Sequence, residues 1–161
     1  IQYLQNNRIA HRDIKLENIL VDKKSLKIKI IDFGFATEMH NIYVKSSIIG
    51  TMSYLSPEMF VEKEYDPFKA DIWAFGILFY YFCTGYFPFR SVDNQALQNK
   101  IVKGELLFPK DINPGCQYLI TKMLAYDEEE RIGITEILED SWIKPVNIFG
   151  RIAELKKAIK N

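Results

Sequence analysis

Residues 71–84 run Asp-Ile-Trp-Ala-Phe-Gly-Ile-Leu-Phe-Tyr-Tyr-Phe-Cys-Thr, with an unbroken apolar stretch over 72–83. Twelve apolar residues fall well short of the ~20 that a membrane span needs. A helix that is apolar on every face is buried all round. This stretch therefore predicts a central post inside a folded domain. The rest of the 161 residues can surround it: 48% are hydrophobic and 14% aromatic, which excludes disorder for most of the length.

Shorter elements flank the post. Residues 1–6 read as the last turns of a helix, ended by Asn6, Asn7 and Arg8. The β-branched runs 19–21 and 26–31, on either side of Asp22-Lys23-Lys24-Ser25, predict a hairpin. Residues 35–56 lack periodicity and are rich in Ser, Thr and Asn, which predicts a long ordered loop of the functional kind. Helices follow at 94–103, stopped by Gly104, and after Asn113, with Pro114 at the first position. In the latter, Cys116, Leu119, Ile120, Met123 and Leu124 share one face. A last helix is capped by Thr135, with Leu138 and Trp142 facing inward. The expected fold is mainly α with one small β-hairpin.

Lys plus Arg and Asp plus Glu are 21 each, so the net charge is zero. No overall field draws the chain to nucleic acid or to an anionic membrane. Two cysteines, Cys83 and Cys116, are too few for a disulfide scaffold and read as buried or semi-buried thiols of a reducing compartment. That points to a cytoplasmic, alternatively nuclear, location.

The chemistry concentrates in His11-Arg12-Asp13-Ile14-Lys15-Leu16-Glu17-Asn18 on a loop before a strand. Asp32-Phe33-Gly34 follows the second strand, then Gly50-Thr51 and Ser56-Pro57-Glu58. In this order the motifs resemble the protein-kinase signature set, which implies phosphoryl transfer, a reaction that asks for positioning and charge neutralisation more than for covalent chemistry. Asp13 offers a carboxylate for an acceptor hydroxyl. Lys15 offers a cation for the moving phosphoryl group. The Asn18 amide oxygen and the Asp32 carboxylate are hard ligands suited to Mg²⁺. Gly34 is expected to let the backbone turn sharply beside Asp32.

Over residues 1–143 the chain resembles the C-terminal lobe of a eukaryotic serine/threonine protein kinase. The resemblance implies the α+β kinase fold, ATP and Mg²⁺ as cofactors, and the roles given above. It also implies that Thr51 bonds Asp13 and Lys15, that Leu20 packs beneath adenine, that Asp71 holds the catalytic-loop backbone, and that Arg131 pairs with Glu58. His11, Arg12, Phe33 and Gly34 take supporting positions. Lys15, two residues after Asp13, is the serine/threonine pattern. The segment 32–58, with 71–76 and 85–89, looks closest to the calmodulin-dependent and AMP-activated kinase group. There the activating phosphate sits three residues before the glycine, which is Ser47 here, received by Arg12 and attached by an upstream activating kinase. Glu17 stands where relatives read a basic residue upstream of the acceptor; Tyr81 replaces a second carboxylate, so the preference should be modest.

The chain also departs from the family. No G-x-G occurs, and Ile1 opens the sequence, so the expectation is a truncated catalytic domain lacking its N-terminal lobe, inactive alone. Met52, Ser56 and Thr37 stand where relatives commonly keep Pro, Ala and a basic residue. Residues 144–161 carry five basic residues against Glu154, a net of +4. Ile148, Ile152, Leu155 and Ile159 share a helical face, which suits a packing helix or linker better than a calmodulin-binding or autoinhibitory segment. The alternative to an enzyme is a non-catalytic kinase-lobe interaction module.

Overall fold

The computed structural model describes residues 1–25 and 27–144. Leu26, in the expected hairpin, and the amphipathic face proposed for the tail lie outside them. Helix α1 (Gln2–Asn6) leads into strand β1 (Ile9–Ala10). Strands β2 (Ile19–Val21) and β3 (Ile28–Ile30) form the expected antiparallel hairpin, with Ile19 opposite Ile30.

Residues 35–56 are more structured than a loop. Strand β4 (Thr37–Glu38) pairs with β1, and β5 (Val44–Lys45) pairs with β6 (Glu64–Tyr65). There are thus three two-stranded antiparallel sheets among the described residues, and the chain is a partly helical α+β unit rather than helices with one hairpin. Two-residue strands are too short to show an alternation, and each is fixed by a partner far away in sequence. A 3₁₀ turn, Met52–Tyr54, and the short helix α2 (Glu58–Val61) complete this segment.

Helix α3 (Pro67–Thr84) is the central post, and it begins a turn earlier than its apolar run. Asp66 caps it, its side chain accepting from the Phe68 N–H, and Pro67 sits at the first helical position. Trp73, Ile77, Leu78 and Tyr80 are buried. The last turn is not: Phe82 is 61% exposed and Cys83 is also exposed. Residue 85 closes the helix in the left-handed conformation, as a glycine does without strain.

Helices α4 (Asn94–Lys103) and α5 (Pro114–Met123) cover the post. The Asn113 side chain accepts from the Gly115 and Cys116 N–H groups, and the five apolar residues expected on one face of α5 and its end are all buried. Where α3 meets α5, a Cβ at Gly76 would stand 2.8 Å from Leu124 Cδ2 and 2.9 Å from Met123 Cβ, so only glycine allows this approach. Helix α6 (Ile134–Glu139) starts after Gly133, not Thr135; the Glu136 carboxylate accepts from the Gly133 N–H at 2.8 Å. Its inward residue is Ile137, while Leu138 and Trp142 are about two-fifths exposed. No helix among the described residues is long and apolar enough to cross a membrane.

Candidate active site

The octet 11–18 links β1 to the 3₁₀ turn Leu16–Asn18 that opens the hairpin. A loop holding so many polar groups needs anchoring from below, and α3 provides it. Asp71 is buried, and its two carboxylate oxygens accept from the backbone N–H groups of His11 (2.7 Å) and Arg12 (2.8 Å). Burial pushes the Asp71 carboxyl up to about 6, against the pull of those two N–H donors.

His11 is buried above it. Its Nδ1 accepts from the Asp13 N–H at 3.3 Å, which leaves Nε2 to donate to the Ile31 carbonyl at 3.1 Å. The network thus assigns the neutral tautomer. Burial is the main cause holding the imidazole below its ordinary pKa, with the Ile31 carbonyl, Asp13 and Asp32 opposing. Phe33 stacks obliquely on the ring at 4.8 Å.

Three side chains converge on Asp13. Lys15 Nζ donates to Asp13 Oδ2 at 2.6 Å and to Thr51 Oγ1 at 3.1 Å. Thr51 Oγ1 donates to Asp13 Oδ1 at 3.3 Å. Asn18 Nδ2 donates to the Asp13 carbonyl at 2.9 Å and to Oδ2 at 3.1 Å. Hydrogen bonding to Asp13 is the leading cause that raises the Lys15 pKa, so its ammonium stays charged. The carboxylate is buried, yet it is held between a cation, a hydroxyl and an amide. A group fixed this way can receive a proton from a hydroxyl brought beside it, with a cation at hand for the developing charge.

Thr51 arrives from the far end of the 35–56 segment because Gly50 lets it. Gly50 has φ +107°, and a Cβ there would lie 2.9 Å from the Arg12 carbonyl oxygen. Gly34 works differently from the sequence expectation. The left-handed residue of its triplet is Asp32, at φ 61°, whereas Gly34 is not left-handed. Gly34 N–H donates to Asp32 Oδ1 at 3.2 Å, and a Cβ at 34 would crowd that same oxygen.

Asn18 and Asp32 are joined through the backbone: the Ile31 N–H donates to the Asn18 carbonyl at 2.9 Å. With the Asn18 amide nitrogen turned to Asp13, its amide oxygen is left for another partner. No group of three His, Cys, Asp or Glu side chains among the described residues is placed to hold a metal. The Asn18 amide oxygen and the Asp32 carboxylate are hard oxygens of the type that suits Mg²⁺.

The other expected residues spread outward. Leu20 is about half exposed on β2, and Glu17 is exposed in the 3₁₀ turn. Arg12, at φ 63°, donates from Nε to the Phe35 carbonyl at 2.7 Å. Ser47 is half-buried, whereas its neighbour Ser46 is engaged twice, N–H to the Lys63 carbonyl (2.8 Å) and Oγ to the Met59 carbonyl (3.0 Å). Arg131 and Glu58 are buried together.

Two contacts had no signal in the sequence. The Tyr54 hydroxyl accepts from the Leu16 N–H at 3.3 Å, and the Tyr43 hydroxyl donates to Glu129 at 3.1 Å, across 86 positions.

The chain matches the protein kinase domain family over residues 1–143. It is 36% identical, over its full length, to the serine/threonine-protein kinase kin-29 of Caenorhabditis briggsae, of which it covers 19%. It is 37% identical to CBL-interacting serine/threonine-protein kinase 14 of Arabidopsis thaliana, over 89% of this chain and 33% of that one. It is also 37% identical to the Aurora kinase of Patiria pectinifera, over 88% of this chain and 34% of that one. The chain thus spans about a third or less of the length of these relatives.

Proposed function

The chain belongs to the protein kinase domain family, and from that premise we propose that it forms the C-terminal lobe of a serine/threonine protein kinase, carried by residues 1–143. The observation that carries this reading is the cluster at Asp13, in which Lys15, Thr51 and Asn18 all bond one buried carboxylate. Asp13 accepts the proton of a substrate Ser or Thr hydroxyl. Lys15 neutralises the transferred γ-phosphoryl group of ATP, and Thr51 holds Asp13 and Lys15 in register. Asn18 and Asp32 would hold Mg²⁺, which would supply charge neutralisation for the phosphates. Leu20 offers its exposed side chain to the adenine.

Glu17, exposed beside Lys15, reads a basic residue upstream of the acceptor. Ser47, whose neighbour Ser46 is already engaged, is the site an upstream kinase modifies. Arg12 receives that phosphate. The calmodulin-dependent and AMP-activated group and a cytoplasmic or nuclear location complete this reading; a match to kin-29 along all of this chain, though over 19% of that protein, and two cysteines too few for a disulfide scaffold are in keeping with it.

The test is phosphotransfer from γ-labelled ATP to a Ser/Thr peptide library by the protein that carries this chain, beside its Asp13→Asn variant. Asp13-dependent labelling of Ser and Thr, favouring an upstream Arg or Lys, is expected. Labelling that survives Asp13→Asn, or falls on Tyr, overturns the reading.

A further inference from the structure

Both cysteines lie at one seam, which the site at Asp13 does not use. Cys83 is exposed in the last turn of α3; Cys116 is buried in the first turn of α5. Across 33 positions their sulfurs stand 2.8 Å apart, with the Cys116 thiol donating to Cys83 Sγ. A disulfide needs about 2.05 Å, so the two sulfurs lie within about an ångström of bonding distance.

We propose that Cys83 and Cys116 form a peroxide-responsive modification site, oxidised to a disulfide that joins α3 to α5. The two thiols differ in access. Cys116 sits at a helix start, where the dipole favours an anion, but burial outweighs this and pushes its pKa up to about 12. Cys83 is the sulfur that meets solvent, and hydrogen peroxide is the oxidant.

The Cys83 sulfur loses its proton and bonds one peroxide oxygen. The O–O bond breaks, and the other oxygen leaves as water. The Cys116 sulfur then bonds the Cys83 sulfur, the S–O bond breaks, and the hydroxyl departs as water with the Cys116 proton. Two thiols are oxidised by two electrons in all, and one peroxide is reduced to two waters. The cross-link ties down the last turn of the helix whose first turns, through Asp71, hold the loop at His11 and Arg12.

The test treats the full chain with one equivalent of hydrogen peroxide and reads intact mass, free thiols and linked peptides. The expected result is a loss of two hydrogens, joint disappearance of both thiols, a peptide joining Cys83 to Cys116, and reversal by dithiothreitol. Sulfinic acid at Cys83 with Cys116 still free, or a dimer through Cys83, overturns the proposal. An unfolded chain can also form this bond, so a second measurement separates built geometry from chance. Equilibration in glutathione buffers should give an effective thiol concentration at least about tenfold higher in native chain than in urea. An equal or lower native value overturns the proposal. Cys83→Ser, a small change at an exposed position, should leave Cys116 unoxidised at the same peroxide dose.

Discussion

Arg131 grips Glu58 with both arms of its guanidinium, Nη1 to Oε1 at 2.6 Å and Nη2 to Oε2 at 2.9 Å, and both side chains are buried. Its remaining donors reach the carbonyls of Ala125, Lys69 and Tyr126, and its flat face lies 5.0 Å from Trp73. The pair fastens the end of the segment bearing Thr51 to the helical body. Arg131→Met should destabilise the chain by about 3–5 kcal/mol, because it leaves Glu58 buried and uncompensated. Adding Glu58→Gln should recover part of that loss. Urea denaturation of the single and double variants checks both statements, and a double variant less stable than the single one contradicts them.

Asp13→Asn should lower kcat for peptide phosphorylation by about 10²–10⁴-fold, the range a positioned acid or base contributes. ATP affinity should hardly change, since the carboxylate bonds Lys15, Thr51 and Asn18 and would face the acceptor. Steady-state kinetics with nucleotide titration separate the two effects. Unchanged kcat would remove Asp13 from the reaction.

Gly50→Ala should cost about 1–3 kcal/mol and reduce phosphotransfer with it. The new methyl must sit at φ +107° and within 2.9 Å of the Arg12 carbonyl. Thr51 would then be carried away from Asp13. A variant of native stability and full activity would show that the segment can approach by another path.

Ser47→Ala should abolish the gain in activity that an upstream kinase confers, while Ser46→Ala should mainly loosen the segment, since Ser46 bonds Met59 and Lys63. A phosphoserine at 47 would add about −1.5 to −2 charges for Arg12 to receive. Phosphosite mapping with activity assays distinguishes these outcomes. Phosphate on another residue, with Ser47→Ala fully activatable, refutes the assignment.

His11 and Asp71 give the chain two opposed pH dependences. Burial lowers the His11 pKa from 6.5, so the unfolded chain takes up that proton first as the pH falls. Its share of stability is full above about 6.5 and lost as the pH drops through the folded value. Asp71 is raised from 3.8 to about 6, so its share is full below about 3.8 and lost as the pH rises through about 6. Between these limits the two offset one another. Asp71→Asn removes one of them, so stability should fall more steeply from pH 7 to 4.5 in the variant than in the unaltered chain. Parallel stability curves would contradict this.

The sequence showed most clearly what is local. The α5 face from Cys116 to Leu124, the Asn113 cap and the 19–31 hairpin are written in spacing and short-range hydrogen bonds. The Asp66-Pro67 start of α3 is equally local, but the apolar run that marks the helix begins only at Ile72. The strand pairs β1–β4 and β5–β6 were illegible for a different reason. Two residues carry no period, and their partners are set by tertiary closure. At the candidate site, the residue types were legible and the geometry was not. Nothing in Asp-Phe-Gly says that Asp32, rather than Gly34, takes the left-handed turn. Nothing local joins Tyr43 to Glu129.

The close approach at Gly76 also limits how this sequence can change by inheritance. Leu124 can be trimmed to relieve its half of the clash, but the other half is a Cβ, which every residue except glycine would keep at position 123. Alanine at 76 therefore has no single compensating substitution at Leu124. Drift at 124 remains open while position 76 is closed, and a descendant that leaves glycine there must first have moved α5 away from α3.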